Sequence, residues 1–174
     1  MEPTVEIVAD AALAEADRAV IGRWSEEAFS EDKAFEGFTW AKPTWHVLVR
    51  ENGQLVSCLK IMDRVSLVGG APIHMAGIGD VVTPAARRGK GYASLAMREA
   101  SRYLCAVLGV EFGVLMCQPK LVPFYSRLGY VTVPEPLHFE QPWGQEVSPE
   151  ITMVKPCGER DWPAGEIDLR GLPW

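Results

Sequence analysis

The chain has 174 residues, 48% of them hydrophobic and 23% charged, with a formal net charge of −6 and a pI near 5.1. This length and apolar content predict one α/β (α+β) domain, residues 1–174, with a substantial core, and the acidity argues against nucleic acid or anionic membrane as partners and for a cationic one. The cysteines Cys58, Cys105, Cys117 and Cys157 form no Cys-x-x-Cys pair and no Cys/His cluster, which predicts reduced thiols and no metal; without a leader or a run of about 18 apolar residues, the expected location is cytoplasmic.

In chain order, Thr4 to Val8 alternates as a short strand, and Ala11 to Phe29 reads as a helix with Leu13, Ala16, Val20 and Trp24 on one face and Asp10 as its N-cap. Trp45 to Glu51 and Leu55 to Val65 are β-rich runs joined at Asn52-Gly53, whose tolerance of positive φ suits a two-residue hairpin. A turn at Gly69-Gly70 leads into a third run, Ile73 to Thr83, which stops at Pro84. The next helix runs from Gly91 to Leu108, with Tyr92, Leu95, Ala96, Ala100, Tyr103 and Val107 on its apolar face and Gly109 at its end. Phe112 to Cys117 is an apolar strand, Leu121 to Leu128 a short helix closed by Gly129, and Tyr130 to Val133 a further strand. Nine of the thirteen prolines lie beyond residue 118, so 134–174 reads as a Pro-rich C-terminal extension in which only Ile151 to Val154 has strand character. Among Trp40, Trp45, Trp143, Trp162 and Trp174, core packing is the expectation for most, with stacking on a sugar ring as the alternative.

Charge is unevenly spread. Residues 81–130 carry a net +5, leaving −11 for the remainder, with acids concentrated at Glu26, Glu27, Glu31, Asp32 and Glu36 and again at Glu159, Asp161, Glu166 and Asp168. Within the basic segment, Val81, Val82 and Thr83 end a strand, and Arg87, Arg88, Gly89, Lys90, Gly91, Tyr92, Ala93 and Ser94 form a glycine-bearing loop that opens a helix. Free N–H groups, the positive helix end and glycines that admit close approach make this an anion site; the other reading is a solvated basic turn. The loop is not a P-loop, and the third glycine of a dinucleotide fingerprint would fall at Ser94. Glu111, the acid at the distance that fingerprint needs, opens a strand instead of ending one. There is no Gly-x-Ser-x-Gly elbow, and His46, His74 and His138 lack metal spacing.

Arg88-Gly89-Lys90-Gly91-Tyr92-Ala93 resembles the Arg/Gln-x-x-Gly-x-Gly/Ala acetyl-CoA loop of the GCN5-related N-acetyltransferases, and Phe124-Tyr125-Ser126-Arg127-Leu128-Gly129-Tyr130 is similar to that family's Phe-Tyr-x-x-x-Gly-Phe/Tyr block. The resemblance implies that fold: a single mixed, mostly antiparallel sheet, splayed at the acetyl-CoA site, with helices on both faces. It also implies acetyl-CoA as acyl donor, its pantetheine arm pairing with Val81, Val82 and Thr83 where that strand parts from the one ending at Cys117. A main-chain N–H near Val82 would stabilise the oxyanion, and Tyr125 would protonate the leaving thiolate, its pKa lowered by nearby basic residues. The base is implied to be an acid on the strand before the loop, Asp80 here, or one place earlier, which is Gly79. One step along a strand reverses the face, so Asp80 stands as base, as acceptor ligand or as a structural residue unless a bulge intervenes. Cys117 has no evident base, so transfer is expected to be direct.

Phe29-Ser30-Glu31-Asp32, the hairpin segment from Trp45 to Arg64 and the closing Asp168-Leu169-Arg170-Gly171-Leu172-Pro173-Trp174 are similar to the aminoglycoside 2′-N-acetyltransferases within that family. That similarity implies an acceptor site holding drug ammonium groups through Asp32, with Glu31 beside it, Asp168, the Trp174 carboxylate and, one place out of step, Glu150. The expected reaction is acetylation of a polycationic amino sugar, an aminoglycoside with its 2′-amine favoured, and hence antibiotic resistance. The alternatives are another small amine, a peptide N-terminus, or an inactive acetyl-CoA or cation sensor. A homodimer is implied only by its frequency among relatives.

Overall fold

The computed structural model describes residues 2–174. Strands β1 (Thr4–Ala9), β2 (Trp45–Glu51), β3 (Gln54–Val68) and β4 (Ala71–Val82) pair antiparallel in succession. Both hairpins turn through two left-handed residues, Asn52 (φ 51°) with Gly53 (76°) and Gly69 (57°) with Gly70 (81°), the twist that lets flanking strands stay paired. Strand β5 (Phe112–Cys117) lies parallel to β4. Then follow β6 (Val131–Val133), β7 (Leu137–Gln141), β8 (Gly144–Val147), β9 (Ile151–Pro156) and β10 (Ile167–Asp168). Strand β9 inserts between β5 and β6, while β10 links the far end of β3 to the β7–β8 hairpin. On one edge β3 pairs with β2 through its first half and with β10 at its last residues, so the mixed sheet forks and curls.

Helices α1 (Glu15–Phe29), α2 (Tyr92–Tyr103) and α3 (Val122–Ser126) cover the sheet. Helix α2 buries Tyr92, Ala96, Met97 and Ala100 against Val47, Val49, Leu59, Ile61, Ala76 and Ile78, the alternate residues of three strands. The opposite face takes Leu13 and Ile21, packed on Leu48, Cys58 and Val82. A third cluster fills the curl: Met75, Phe112, Leu137, Phe139 and Trp174. Trp174 reaches it because β4 carries no side chain at Gly77 or Gly79; a Cβ at Gly77 would stand 2.1 Å from the indole. Arg64 stacks over the same ring at 5.5 Å and donates to the carbonyls of Leu169 and Leu172.

Several local expectations are corrected. Helix α1 begins at Glu15 after a 3₁₀ turn over Asp10–Ala12, and Asp10 is not its cap. The Asp10 carboxylate is engaged instead by Arg18 and by His46 Nε2 at 2.8 Å. The buried turn of that helix centres on Ile21, while Ala16 is exposed. Beyond Tyr103 the chain makes a π turn, Leu104–Leu108, capped by left-handed Gly109. The inserted residue rotates the face, burying Leu104 and leaving Val107 63% exposed. The region 134–174 supplies four strands where one was expected: the flanking Pro136 and Pro142 conceal the alternation of Leu137, Phe139 and Gln141, all buried. Of the tryptophans, Trp45 and Trp162 pack on Tyr103 and Phe112, whereas Trp40 and Trp143 are exposed.

Cys105 and Cys157 are not reduced but joined in a disulfide across a sequence separation of 52; Cys58 and Cys117 are free and buried. Pairing of Phe112 with Pro156 brings the residues before β5 beside those after β9, a proximity that spacing in the sequence does not encode. Among the described residues no helix is long and apolar enough to cross a membrane, and no group of three or more metal-ligating side chains occurs.

Closing a loop of that separation is worth about 4 kcal/mol in chain-entropy terms. A reducing agent is therefore expected to lower the melting temperature of the wild type by several degrees and to leave a Cys105→Ser/Cys157→Ser variant unmoved in thermal melts. Gly77→Ala is expected to cost about 1–3 kcal/mol through overpacking. In the Trp174→Ala background the same substitution should cost almost nothing, because the obstructing ring is gone.

Candidate active site

β4 and β5 pair only from Met75–Phe112 to Gly77–Val114. Beyond that β5 follows β9 and β4 follows β3, so the main-chain groups that face each other across Ile78–Val82 and Leu115–Cys117 have no strand partner. In β4 this stretch also contains a bulge. Lys60 pairs with Gly79 and Cys58 with Val82, so Asp80 and Val81 share one place opposite Leu59, with Asp80 left-handed at φ 52°. The extra residue sets Asp80 on the face of Gly79 and Lys60, the reversal that strict alternation would forbid, while Val81 packs toward the α2 core. Asp80 is an ion-pair partner of Lys60 Nζ and accepts Ser25 Oγ of α1 at 2.5 Å.

At the end of β4, Ser57 Oγ donates to the Val82 carbonyl at 3.0 Å and lies 2.8 Å from the Thr83 hydroxyl. Arg88 Nε donates to the Thr83 carbonyl, which folds the basic loop back on the strand. Gly89 (φ 79°) and Gly91 (81°) are left-handed, and open space surrounds the position of a Cβ at either. Gly91 caps α2 without a side-chain bond, and the first turn holds no acid. The N–H groups of Tyr92, Ala93 and Ser94 and the positive helix end are therefore left without a side-chain partner, the arrangement that suits an anion. Arg87 is turned aside to Gln54 Oε1 at 3.0 Å and Glu51, which also stands 4.0 Å from Lys90.

Across the gap, Cys117 ends β5 in register with Ile151, so Glu150 stands at the same end of the sheet. Asp32, in the segment after α1, accepts Gln118 Nε2 at 3.4 Å and the Ala34 N–H at 3.3 Å. Burial, and then the Asp32 carboxylate, push Glu150 up to about 7. Burial pushes the Cys117 thiol up to about 11, with Glu150 adding to it, which makes it a poor nucleophile. Tyr125, buried on α3, is pushed upward by burial and by Cys117, Tyr130 and Glu150, not lowered by basic neighbours as expected. Its hydroxyl therefore stays protonated at neutral pH and is available as a hydrogen-bond donor.

Asp32, Cys117, Glu150 and Tyr125 thus meet at one end of the gap, and Trp174 covers Gly77 and Gly79 beside it. Asp168 does not join them: it pairs opposite Leu67, at the other end of β3 and β4, and caps the Arg170 N–H. Glu31 is exposed at the start of the loop. Sequence reasoning missed Ser25 and Lys60, the partners of Asp80, because a salt bridge across two strands and a helix leaves no local pattern.

A family model described as Acetyltransferase (GNAT) domain matches residues 11–133. An acyl-CoA N-acyltransferase from Pseudomonas aeruginosa superposes with a TM-score of 0.65 at 23% identity, over 88% of this chain and 99% of its own. A GNAT family acetyltransferase from Brucella melitensis, solved in complex with acetyl-CoA, gives 0.62 at 22% identity over 94% of each chain. Escherichia coli YhbS, solved with CoA, gives 0.66 at 16% identity over 98% of this chain and 91% of its own. No curated protein matches the sequence. With a family model matched over residues 11–133, well over half of the chain, this chain belongs to the GNAT acetyltransferase family.

Proposed function

We propose that the chain transfers acetyl from acetyl-CoA to an amine of a polycationic amino sugar, with the 2′-amine of an aminoglycoside as the sharpest form of that reading. The observation that carries it is the meeting of Asp32 and Glu150 with Tyr125 at the end of the β4–β5 gap, opposite a basic loop. Anionic donor and cationic acceptor would then approach the gap over surfaces of opposite sign. The loop after α1 carries aromatic side chains: Phe35 packs on Trp40 at 5.4 Å and Phe38 on Trp143 of the β7–β8 turn at 5.4 Å, with both tryptophans exposed in the manner that suits a sugar ring. Bound acetyl-CoA would supply the thioester carbon. The residues' part is to hold the pyrophosphate on the α2 N-terminus, align the thioester along Val81–Thr83, and let Tyr125 donate to the departing sulfur. The competing reading is a smaller amine, favoured by Trp174, which fills the face of Gly77 and Gly79 and narrows the acceptor side.

The deciding assay is release of CoA thiol with aminoglycosides that carry either a 2′-amine or a 2′-hydroxyl. Turnover confined to the first group is expected; equal turnover of both moves the attacked amine, and silence with acetyl-CoA bound points to the smaller amine. Tyr125→Phe should lower kcat by about 100-fold or more at unchanged acetyl-CoA affinity, as loss of a proton donor requires. Asp32→Ala should raise KM for the polycation by up to about fivefold, the scale of a partly exposed charge pair. An equal rise for a neutral analogue would contradict the electrostatic account.

A further inference from the structure

If acetyl is transferred in the β4–β5 gap, an acceptor ammonium must lose a proton there before its nitrogen can attack. Four positions on the acceptor side bear on that step. Position 79 cannot hold an acid, since a Cβ there would stand 2.9 Å from the Trp174 main-chain carbon. Asp80 is neutralised by Lys60 and accepts Ser25 Oγ, so taking a proton would break an ion pair under the bulge. Asp32 already accepts from Ala34 and Gln118.

Glu150 differs from all three. Its main chain is held by Ser148 Oγ, 3.2 Å from the Glu150 nitrogen, and by β9, which starts at the next residue in register with Cys117. Its charge is felt by Cys117 at the end of β5 and by Tyr125 on α3, and it feels that of Asp32 from the loop after α1; none of the three is a cation. It is half-buried at the same end of the gap as the proton donor Tyr125.

We propose that Glu150, and not Asp80, is the proton acceptor for the attacking amine. Glu150 takes one proton from the ammonium, and the freed lone pair forms the C–N bond. As the C–S bond breaks, sulfur receives the Tyr125 proton, Tyr125 recovers a proton from the new amide nitrogen, and Glu150 returns its own to water. One proton is released per acetyl transferred. A carboxyl lifted to about 7 by burial and by Asp32 is matched to this task near neutral pH. The proposal rests on the gap being the transfer site and not on the identity of the acceptor.

The same protonation has a readout that needs no acceptor. A glutamate raised in the folded state contributes stability that is fully present below its ordinary value of 4.5 and is lost as pH rises through about 7. Glu150→Gln stays neutral throughout, so its melting temperature minus that of the wild type should be near zero at pH 4.5, grow through pH 7 and level off above it. In parallel, the slow release of CoA thiol from acetyl-CoA with water as acceptor, above the enzyme-free rate, should show an acidic limb with its inflection near 7 in the wild type. Glu150→Gln should lose that limb and about 100-fold in rate at unchanged acetyl-CoA affinity, and Asp32→Asn should move the inflection down. A flat melting difference across this pH range, or a Glu150→Gln rate and pH profile like the wild type, overturns the proposal. Silence toward every aminoglycoside with these acceptor-free results intact would overturn only the amino-sugar reading.

Discussion

Parallel pairing between β4 and β5 lasts three residues and then fails, because each strand is held on its other side by a partner that leads it away. Strand β3 carries β4 into a bulge, and β9 keeps β5 straight to Cys117. An edge of unpaired N–H and C=O groups inside a protein is costly unless something fills it. The gap is therefore a half-made sheet, with a free edge on each side. Loop, acids and tyrosine all take their meaning from their distance to it.

Two fields of opposite sign flank that opening. On the β4 side the start of α2, which no side chain caps, and the basic loop present positive charge, while Glu51 holds Arg87 and Lys90 beside that helix end. On the β5 side burial and the Asp32 carboxylate together raise the cost of ionising Glu150. Between them, the Lys60–Asp80 pair keeps the left-handed bulge residue anchored to the body of the sheet and to α1. The bulge thus costs backbone strain and is stabilised by two contacts that only the assembled fold provides.

Much of this was legible in the residues. Asn52-Gly53 and Gly69-Gly70 announced both hairpins, since few other dipeptides accept two successive left-handed conformations. The glycines at 89, 91, 109 and 129 marked the loop and the helix ends, and all four are left-handed. The errors came where a distant partner overrode a local preference. Asp10 is a good cap by type, yet His46 and Arg18 hold its carboxylate. Val107 fits the helical period, yet a π turn rotates it outward. Asp168 has the right charge and a plausible neighbourhood in sequence, yet strand register places it at the wrong end of β4.

From the sequence alone came the order of most elements, the glycine-bearing loop that opens α2 and Tyr125 as a donor candidate, because turn chemistry, periodicity and short motifs depend on φ, ψ and spacing within a few residues. Only the tertiary structure decided that Asp80 is ion-paired and that position 79 has no room for a side chain, since that depends on Lys60, Ser25 and Trp174 arriving from distant parts of the sequence. It likewise decided the direction of the Tyr125 shift and the joining of Cys105 to Cys157, because burial and contact across 52 residues are properties of the closed chain and not of its local order.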